Sequence, residues 1–303
     1  MRVLVTGGDG FIGTRLCAAL RQRGHYVREF QGEILDPANV EKQVQGFDAV
    51  VHLAALIDET VPREKMFAVN VEGTRNALEA SAKAHVQRFL HVSTVGVHGE
   101  IKGKIDESVA FNPETNYEKS KAEAEKLVHS YQEAVPVTVV RPALVMGANE
   151  YWQKIIDQLA KGFPLIGDGQ NPWQIVYVED LVEAILGLLG HEEAVGETYI
   201  VAEEKASTLR EIYAALNEEL GRKGPVKTIS SLAAKALSYV FLAQGMVTGK
   251  KSIVLPQHVD RVVRNREYSI DKLKALGWKP RYAMREAVKK TFEEFREKGV
   301  QWN

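Results

Sequence analysis

The amino-acid sequence predicts an α/β fold in which a doubly wound parallel sheet is followed by a smaller, mostly helical C-terminal substrate region. Three observations carry the prediction. A glycine-rich stretch, "TGGDGFIG" from Thr6 to Gly13, stands directly after an opening apolar run and before a helical pattern. Short apolar runs then alternate with helical patterns through the first half of the chain, the order expected of parallel βαβ units with helices on both faces. From Ser207 onward the pattern is mostly helical.

Taken in order, Arg2–Val5 is too short for a helix and reads as a buried strand, while Phe11–Leu20, with Leu16, Ala19 and Leu20 at helical spacing, reads as a helix. The chain must turn sharply between them. Gly7, Gly10 and Gly13 permit that turn, let backbone approach a pyrophosphate, and let helix and strand pack closely; the helix N-terminus offers free N–H groups and a positive dipole to the anion. Further strands follow at His25–Phe30, Asp48–Ala54, Arg88–Thr94 and Val137–Ala143, with helices at Val71–His85 and Tyr117–Glu133. In such open sheets ligands sit beyond the carboxyl ends of the strands. After about Gly147 the pattern turns mixed, with turns at Pro164–Pro172, a strand at Gln174–Val178, a helix at Asp180–Leu189 and a strand at Glu197–Val201. A turn at Leu276–Tyr282 precedes a final amphipathic helix through Arg296. The expected division is a dinucleotide-binding part over residues 1–147, to which the chain returns around 173–201, and a substrate-binding part over 148–303, mainly 148–172 and 202–303.

A chain of 303 residues has ample length for a real core, and 45% hydrophobic with 26% charged residues is ordinary for a globular protein. A formal net charge of −1 gives no electrostatic ground for a nucleic-acid or anionic-membrane partner. The single cysteine, Cys17, cannot form an internal disulfide, which agrees with a reducing cytoplasm; nothing near it marks an activated thiolate, so it reads as core. No secretory signal is expected ahead of a strand that starts at Arg2. The apolar stretch Ser231–Val247 is short for a membrane span and carries Lys235 and Gln244. A helix lining or covering a substrate site is the expectation there, with interfacial membrane contact as the alternative.

Tyr117 and Lys121, in "NYEKSK", fall four residues apart on one helix face, shortly after the strand end "HVSTVGVHG". A phenol with an ordinary pKa near 10 must lose about 3 units, about 4 kcal/mol, to act as a base near neutrality. A neighbouring ammonium and a positively charged nicotinamide both favour the phenolate, and a serine or threonine hydroxyl can hold the substrate oxygen. These are the parts that move a proton from an alcohol oxygen while hydride leaves its carbon. His52 and His91 lie within apolar strand runs and read as core, and Asp168 and Asp180 read as turn and helix-start residues that accept from free N–H groups. No set of His, Cys and carboxylates has metal-ligand spacing.

In order and spacing, "TGGDGFIG", "VVHLAA", "NVEGT", "HVSTVGVHG", "YEKSK", "VVRPALVMG", "PLIGDGQN", "IVYVEDLVEAI" and "LGWKPRY" cover nearly the whole chain. They resemble an extended short-chain dehydrogenase/reductase of the NAD-dependent epimerase/dehydratase and 3β-hydroxysteroid dehydrogenase-like group. The resemblance implies a Rossmann-type sheet, a nicotinamide dinucleotide, NAD(P), and a homodimer through the helices at Val71–His85 and Tyr117–Glu133. It implies that Tyr117 is the general acid or base and that Lys121 lowers its pKa and binds the nicotinamide ribose. The catalytic hydroxyl maps to Thr94, with Ser93 taking the role if the register is off by one. Gly7, Gly10, Phe11, Ile12 and Gly13 match the pyrophosphate loop, Leu53, Ala54 and Ala55 the strand end beside the cofactor, and Asn70 the asparagine near its ribose. Ala143 and Leu144 match backbone passing the nicotinamide, and Glu33 and Ile34 lie where the family contacts adenine through an aspartate and its neighbour. One departure concerns the adenosine ribose. The chain is compressed between His25 and Asp36, so the usual acid is absent or displaced; Gln31 takes its place by spacing, with Arg28 and Glu29 close by, and NAD versus NADP stays open.

Three functions fit these features. The first is net interconversion of a secondary alcohol and a ketone on a small-molecule substrate; the second is nucleotide-sugar epimerisation with retained NAD. The third, dinucleotide binding without turnover, has no use for Thr94, Tyr117 and Lys121 together. Dehydratases of the family carry an acidic pair after the catalytic hydroxyl, where Val95 and Gly96 stand here. "VVRPALVMG" and the apolar Leu232–Val247 segment resemble the steroid-dehydrogenase and flavonoid-reductase side of the group, so net redox is the expectation.

Overall fold

The computed structural model describes residues 1–101, 103–248 and 256–302. Arg2–Thr6 (β1) leads through the glycine turn into Phe11–Gln22 (α1), followed by Tyr26–Glu29 (β2), Pro37–Val44 (α2) and Ala49–His52 (β3). Asp36 starts α2 by accepting from the backbone N–H groups of Ala38 and Asn39, a short helix that lies outside the sequence expectations. Arg63–Phe67 (α3) runs through one π turn, Ala68–Glu72, into Gly73–Lys83 (α4), so the chain becomes helical before the expected start at Val71. Arg88–Val92 (β4), Asn116–Ser130 (α5) and Val137–Pro142 (β5) complete the first half.

The second half runs Leu144–Met146 (β6), Glu150–Ala160 (α6), Leu165–Ile166 (β7), Pro172–Trp173 (β8), Ile175–Tyr177 (β9), Val178–Gly190 (α7) and Thr198–Val201 (β10). It continues with Ser207–Thr208 (β11), Leu209–Glu219 (α8), Thr228–Ile229 (β12), Ser231–Thr248 (α9), Pro256–Val262 (α10), Asp271–Ala275 (α11) and Met284–Glu297 (α12).

The central sheet has the order β10-β5-β4-β3-β1-β2 and every pairing in it is parallel. From β1 the chain steps outward to β2 and then returns to β3 on the other side. That reversal opens a crevice at the carboxyl ends of β1 and β3, the place where such sheets take ligands. Strand residues alternate between two apolar layers. Val3, Val5 and Val51 join Leu16, Cys17 and Leu20 of α1 and Leu181 and Ile185 of α7; Leu4, Val50 and Phe89 join Val40, Leu78 and Val128 of α2, α4 and α5. Each such aliphatic side chain contributes about 1.5–3 kcal/mol by leaving water, which fixes strand register through the period of two. A third cluster gathers Trp152 and Ile156 of α6, Leu209 and Ile212 of α8, and Val288 and Phe292 of α12 into the helical C-terminal region.

Cys17 packs as expected, its thiol pushed up to about 11 by burial, with Glu29 adding to the shift and Arg21 opposing it. Asp168 accepts from the Gln170 N–H in a turn. Asp180 differs from expectation. It stands in the first turn of α7, but its carboxylate accepts from the N–H groups of Arg281 and Tyr282 at 3.0 and 3.1 Å, tying the "LGWKPRY" turn to the sheet's outer helix. The apolar stretch at Ser231–Val247 is helical in α9; Ala234 and Ser238 are buried, Leu232, Tyr239 and Val240 are exposed, and Lys235 pairs with Asp260 of α10 at 2.8 Å. Its side chains at 241 and 243–247 lie outside the described residues. Among the described residues no helix is long and apolar enough to cross a membrane.

Candidate active site

The glycine turn closes on its neighbours as a cradle. Gly7 takes a left-handed φ of +67° and lies so close to the end of β3 that a Cβ there would meet Ala54 N at 3.0 Å. A Cβ on Gly13 would lie 2.1 Å from Gly7 O and 2.7 Å from Gly8 Cα, backbone that cannot yield without opening the turn. Gly10 is the N-cap of α1 and offers no side-chain acceptor, so the first-turn N–H groups of that helix are left for an anion. The donor set and the absent side chains fit a dinucleotide pyrophosphate. Gly13→Ala is expected to weaken NADH binding at least about tenfold in a fluorescence titration, with circular dichroism confirming an intact fold.

Around this cradle the strand ends converge. β3 stops at His52 rather than Ala54, and Leu53, Ala54 and Ala55 leave the sheet partly exposed, with Ala54 N–H donating to Thr6 Oγ1 at 3.2 Å. β4 stops at Val92, two residues before the expected Thr94, and the chain turns into a 3-10 helix at Val95–His98. Thr94 Oγ1 accepts from Gly96 N–H and the residue is partly exposed. Ser93 is buried, its hydroxyl donating to Glu125 Oε2 at 2.6 Å. The neighbour that the sequence left as an alternative is thereby engaged inside the protein. Ala143 is buried with its N–H given to Val201 O at 2.9 Å, and Leu144 opens β6.

Helix α5 starts at a capping box between Thr115 and Glu118, which fixes where Tyr117 and Lys121 emerge. Tyr117 is partly exposed; its N–H donates to Glu59 Oε1 at 3.2 Å. Burial pushes its phenol above the ordinary value, and the carboxylates of Glu118 and Glu59 add to that. Lys121 is buried. Its Nζ donates to Val92 O at 2.7 Å and lies 3.2 Å from His91 Nε2, and burial holds the ammonium down to about 8 against the pull of Glu125.

Asn70 is buried with its amide used inside the chain. It accepts from Leu56 N–H at 2.7 Å and donates to Leu56 O and Ser120 Oγ, each at 2.9 Å, so it braces the strand-end loop against α5. Phe11 packs its ring against Gly147 under the Arg15 guanidinium, and Ile12 bridges two apolar clusters. Ile34 is buried under Gly73, with its carbonyl accepting from Asn76 Nδ2 at 3.0 Å, and Glu33 beside it is exposed.

Behind the site lies a buried polar network that lies outside the sequence expectations. Glu125 and Arg141 form a buried ion pair at 2.5 Å; Arg141 also reaches His98 Nε2 at 3.1 Å and Glu107 O. His52 is a satisfied core histidine: Thr74 donates to Asn70 O and so accepts from His52 Nε2–H at 3.0 Å, while Thr6 donates to Nδ1 at 2.8 Å. His91, its cross-strand neighbour, is buried too, but it touches Lys121. A signal that could have pointed to it is the spacing of four from Lys121 to Glu125, which puts both on one face of α5.

The model of the NAD dependent epimerase/dehydratase family matches residues 3–202. A 4-epimerase of N-acetyl-α-D-glucosaminyl-diphospho-ditrans,octacis-undecaprenol from Escherichia coli O157:H7 is 28% identical, over 96% of this chain and 94% of its own. A 3-beta-hydroxysteroid dehydrogenase from Mycolicibacterium neoaurum is also 28% identical, over 95% of this chain and 89% of its own. Among solved structures, the UDP-glucose 4-epimerase of Thermotoga maritima shares the fold with a TM-score of 0.80 at 24% identity, covering 99% of this chain and 100% of that one. With the glycine cradle, the parallel sheet and a family model matching well over half its length, this chain belongs to the NAD dependent epimerase/dehydratase family, NAD-dependent enzymes among the extended short-chain dehydrogenase/reductases.

Proposed function

We propose that this protein interconverts a secondary alcohol and a ketone on a small-molecule substrate, with Tyr117 exchanging the proton on oxygen. The observation that supports the reading is that the buried Lys121 ammonium, one helical turn after the partly exposed Tyr117 on α5, is bound to Val92 O at the end of β4, two residues before the partly exposed Thr94. A bound nicotinamide supplies the hydride acceptor or donor. The chain's part is the proton. Tyr117 Oη gives it to a ketone oxygen or, as phenolate, takes it from an alcohol; Thr94 Oγ1 holds that oxygen; Lys121 supplies the positive charge that a buried phenol needs before it ionises. Gly7, Gly10, Phe11, Ile12 and Gly13 hold the pyrophosphate, Leu53–Ala55 pass beside the cofactor, Glu33 and Ile34 receive the adenine, and Ala143 and Leu144 pass the nicotinamide. Dehydration is disfavoured: the carboxylate packed on Gly96 belongs to Glu118, whose Oε2 already accepts from the N–H groups of Glu114 and Thr115.

Epimerisation with a retained cofactor is the second reading, favoured by the 4-epimerase relative that aligns along 96% of the chain. Denaturing the purified protein and identifying the released nucleotide by mass spectrometry separates the two. An empty protein that binds and releases cofactor supports net redox, and stoichiometric NAD overturns it in favour of epimerisation.

The same protein is expected to prefer NADH to NADPH by at least about tenfold in a fluorescence titration. Arg28 of β2 lies over the Phe47 ring, 5.2 Å from its centroid, and Arg21 and Arg23 before that strand are paired with Glu29 and Glu183 at 2.9 and 2.6 Å, so these three arginines are engaged away from a 2′-phosphate. Gln31 is pinned through its backbone by Asn39 and Gln43. Equal or tighter NADPH binding would overturn this preference.

A further inference from the structure

Resting on the reading of Lys121 given above, we propose that His91 is a positioning residue for Lys121, its Nε2 accepting from the ammonium and holding it at the carboxyl end of β4. The histidine is an expensive choice for its place. It is fully buried in a central strand, between neighbours such as Phe89 and Leu90 that have no polar atoms to satisfy. Its Nδ1 is buried with no hydrogen-bond partner among the described residues. Leaving a buried polar group unpaired is destabilising, and an aliphatic or phenyl side chain would avoid it. The compensation lies at the other ring nitrogen, 3.2 Å from Lys121 Nζ. A lysine ammonium can only donate, so Nε2 accepts and Nδ1 carries the hydrogen, the tautomer that leaves Nδ1 stranded.

The ring is held for this task. His91 pairs across the sheet with His52, and the two rings stack with centroids 5.5 Å apart and planes 23° off parallel. His52 is fixed by Thr6 and Thr74, so one imidazole braces the other. Val92 O and His91 Nε2 together account for two of the three ammonium hydrogens, leaving one for a ligand hydroxyl.

Titratable groups from the packed elements act on the pair's protonation. From β3 there is His52; from α5 there are Glu125 and His129; from β5 Arg141 is bound to Glu125. Burial drives His91 well below the ordinary histidine value, with Lys121, His52 and His129 adding, so the imidazole stays neutral and able to accept. Removing that acceptor leaves a buried ammonium with one partner fewer, and its proton is lost at lower pH.

The test uses lysine labelled with ¹³C at Cε in the wild type, His91→Gln and His91→Phe, following the Lys121 resonance with pH, beside NADH titrations at each pH. Glutamine retains an acceptor oxygen; phenylalanine fills the space without one, and thermal unfolding checks the fold of both. The Lys121 midpoint and the alkaline loss of NADH binding are expected to move down by about one pH unit in His91→Phe and to stay near wild type in His91→Gln. An unmoved lysine midpoint in His91→Phe, or the same drop in both variants, overturns the proposal. Lys121→Met separates the two layers: if it binds NADH like wild type, the cofactor role of Lys121 fails, and the lysine midpoint still judges the pairing with His91.

Discussion

Tyr117→Phe is expected to lower kcat by about 10³-fold while leaving NADH binding within about threefold of wild type. The substitution removes one oxygen from a partly exposed ring and leaves the Glu59 bond to the Tyr117 N–H in place, so fold and cofactor cradle are untouched. Only the proton relay is lost. The pH dependence carries the sign of the phenol shift: burial and the nearby Glu118 and Glu59 hold Tyr117 protonated in the free chain. Ketone reduction, which uses the phenol as donor, should persist at neutral pH and fail as the Lys121 ammonium, held down to about 8 by burial, loses its proton and cofactor binding with it. Alcohol oxidation should climb with pH only up to that loss. Both limbs should vanish in Tyr117→Phe, measured by stopped-flow absorbance on the alcohol or ketone that the wild type turns over. Unchanged kcat would remove Tyr117 from the mechanism.

Glu125→Ala is expected to cost about 3–5 kcal/mol of stability, because it leaves the Arg141 guanidinium buried without its counter-charge. On a chain of this size that lowers Tm on the order of 10 °C. Ser93 loses its acceptor at the same time, which loosens the strand end that carries Thr94. Replacing both partners, Glu125→Leu with Arg141→Met, should recover part of the loss, since no unpaired charge remains. A pH signature goes with this. Burial alone would raise the Glu125 carboxyl, but His129, Arg141 and Ser93 outweigh it and bring the value to about 2. A carboxyl depressed by folding stabilises above its ordinary value and loses that contribution as pH falls toward the folded one. Wild-type stability should therefore drop between about pH 4.5 and about pH 2, and the part due to Glu125 should be missing from Glu125→Ala in urea titrations. A variant as stable as wild type would show that the pair contributes nothing net.

Much of this was legible in one dimension, because the signals are short-ranged. Strands β1 to β5 follow from apolar runs, α1 and α5 from helical patterns, and the cradle from glycines whose missing Cβ atoms can be read from the sequence alone. Strand ends were overestimated at Ala54 and Thr94, since residues leaving a sheet to line a crevice keep the apolar character of the strand before them. The helical start before Val71 was missed because a π turn breaks the period of its entry.

By itself the sequence determined the parallel α/β architecture, the dinucleotide turn and the Tyr117–Lys121 pair, all set by backbone preference, periodicity and spacing within a few residues. Tertiary structure alone decided which partners those residues have: that Ser93 serves Glu125 while Thr94 stays partly exposed, that Asp180 holds Arg281 and Tyr282, that Asn70 braces a loop, and that His91 meets Lys121. The reason is physical. A side chain's hydrogen-bond partner depends on which strands lie side by side and on which face each residue emerges, and both are fixed only when distant segments pack.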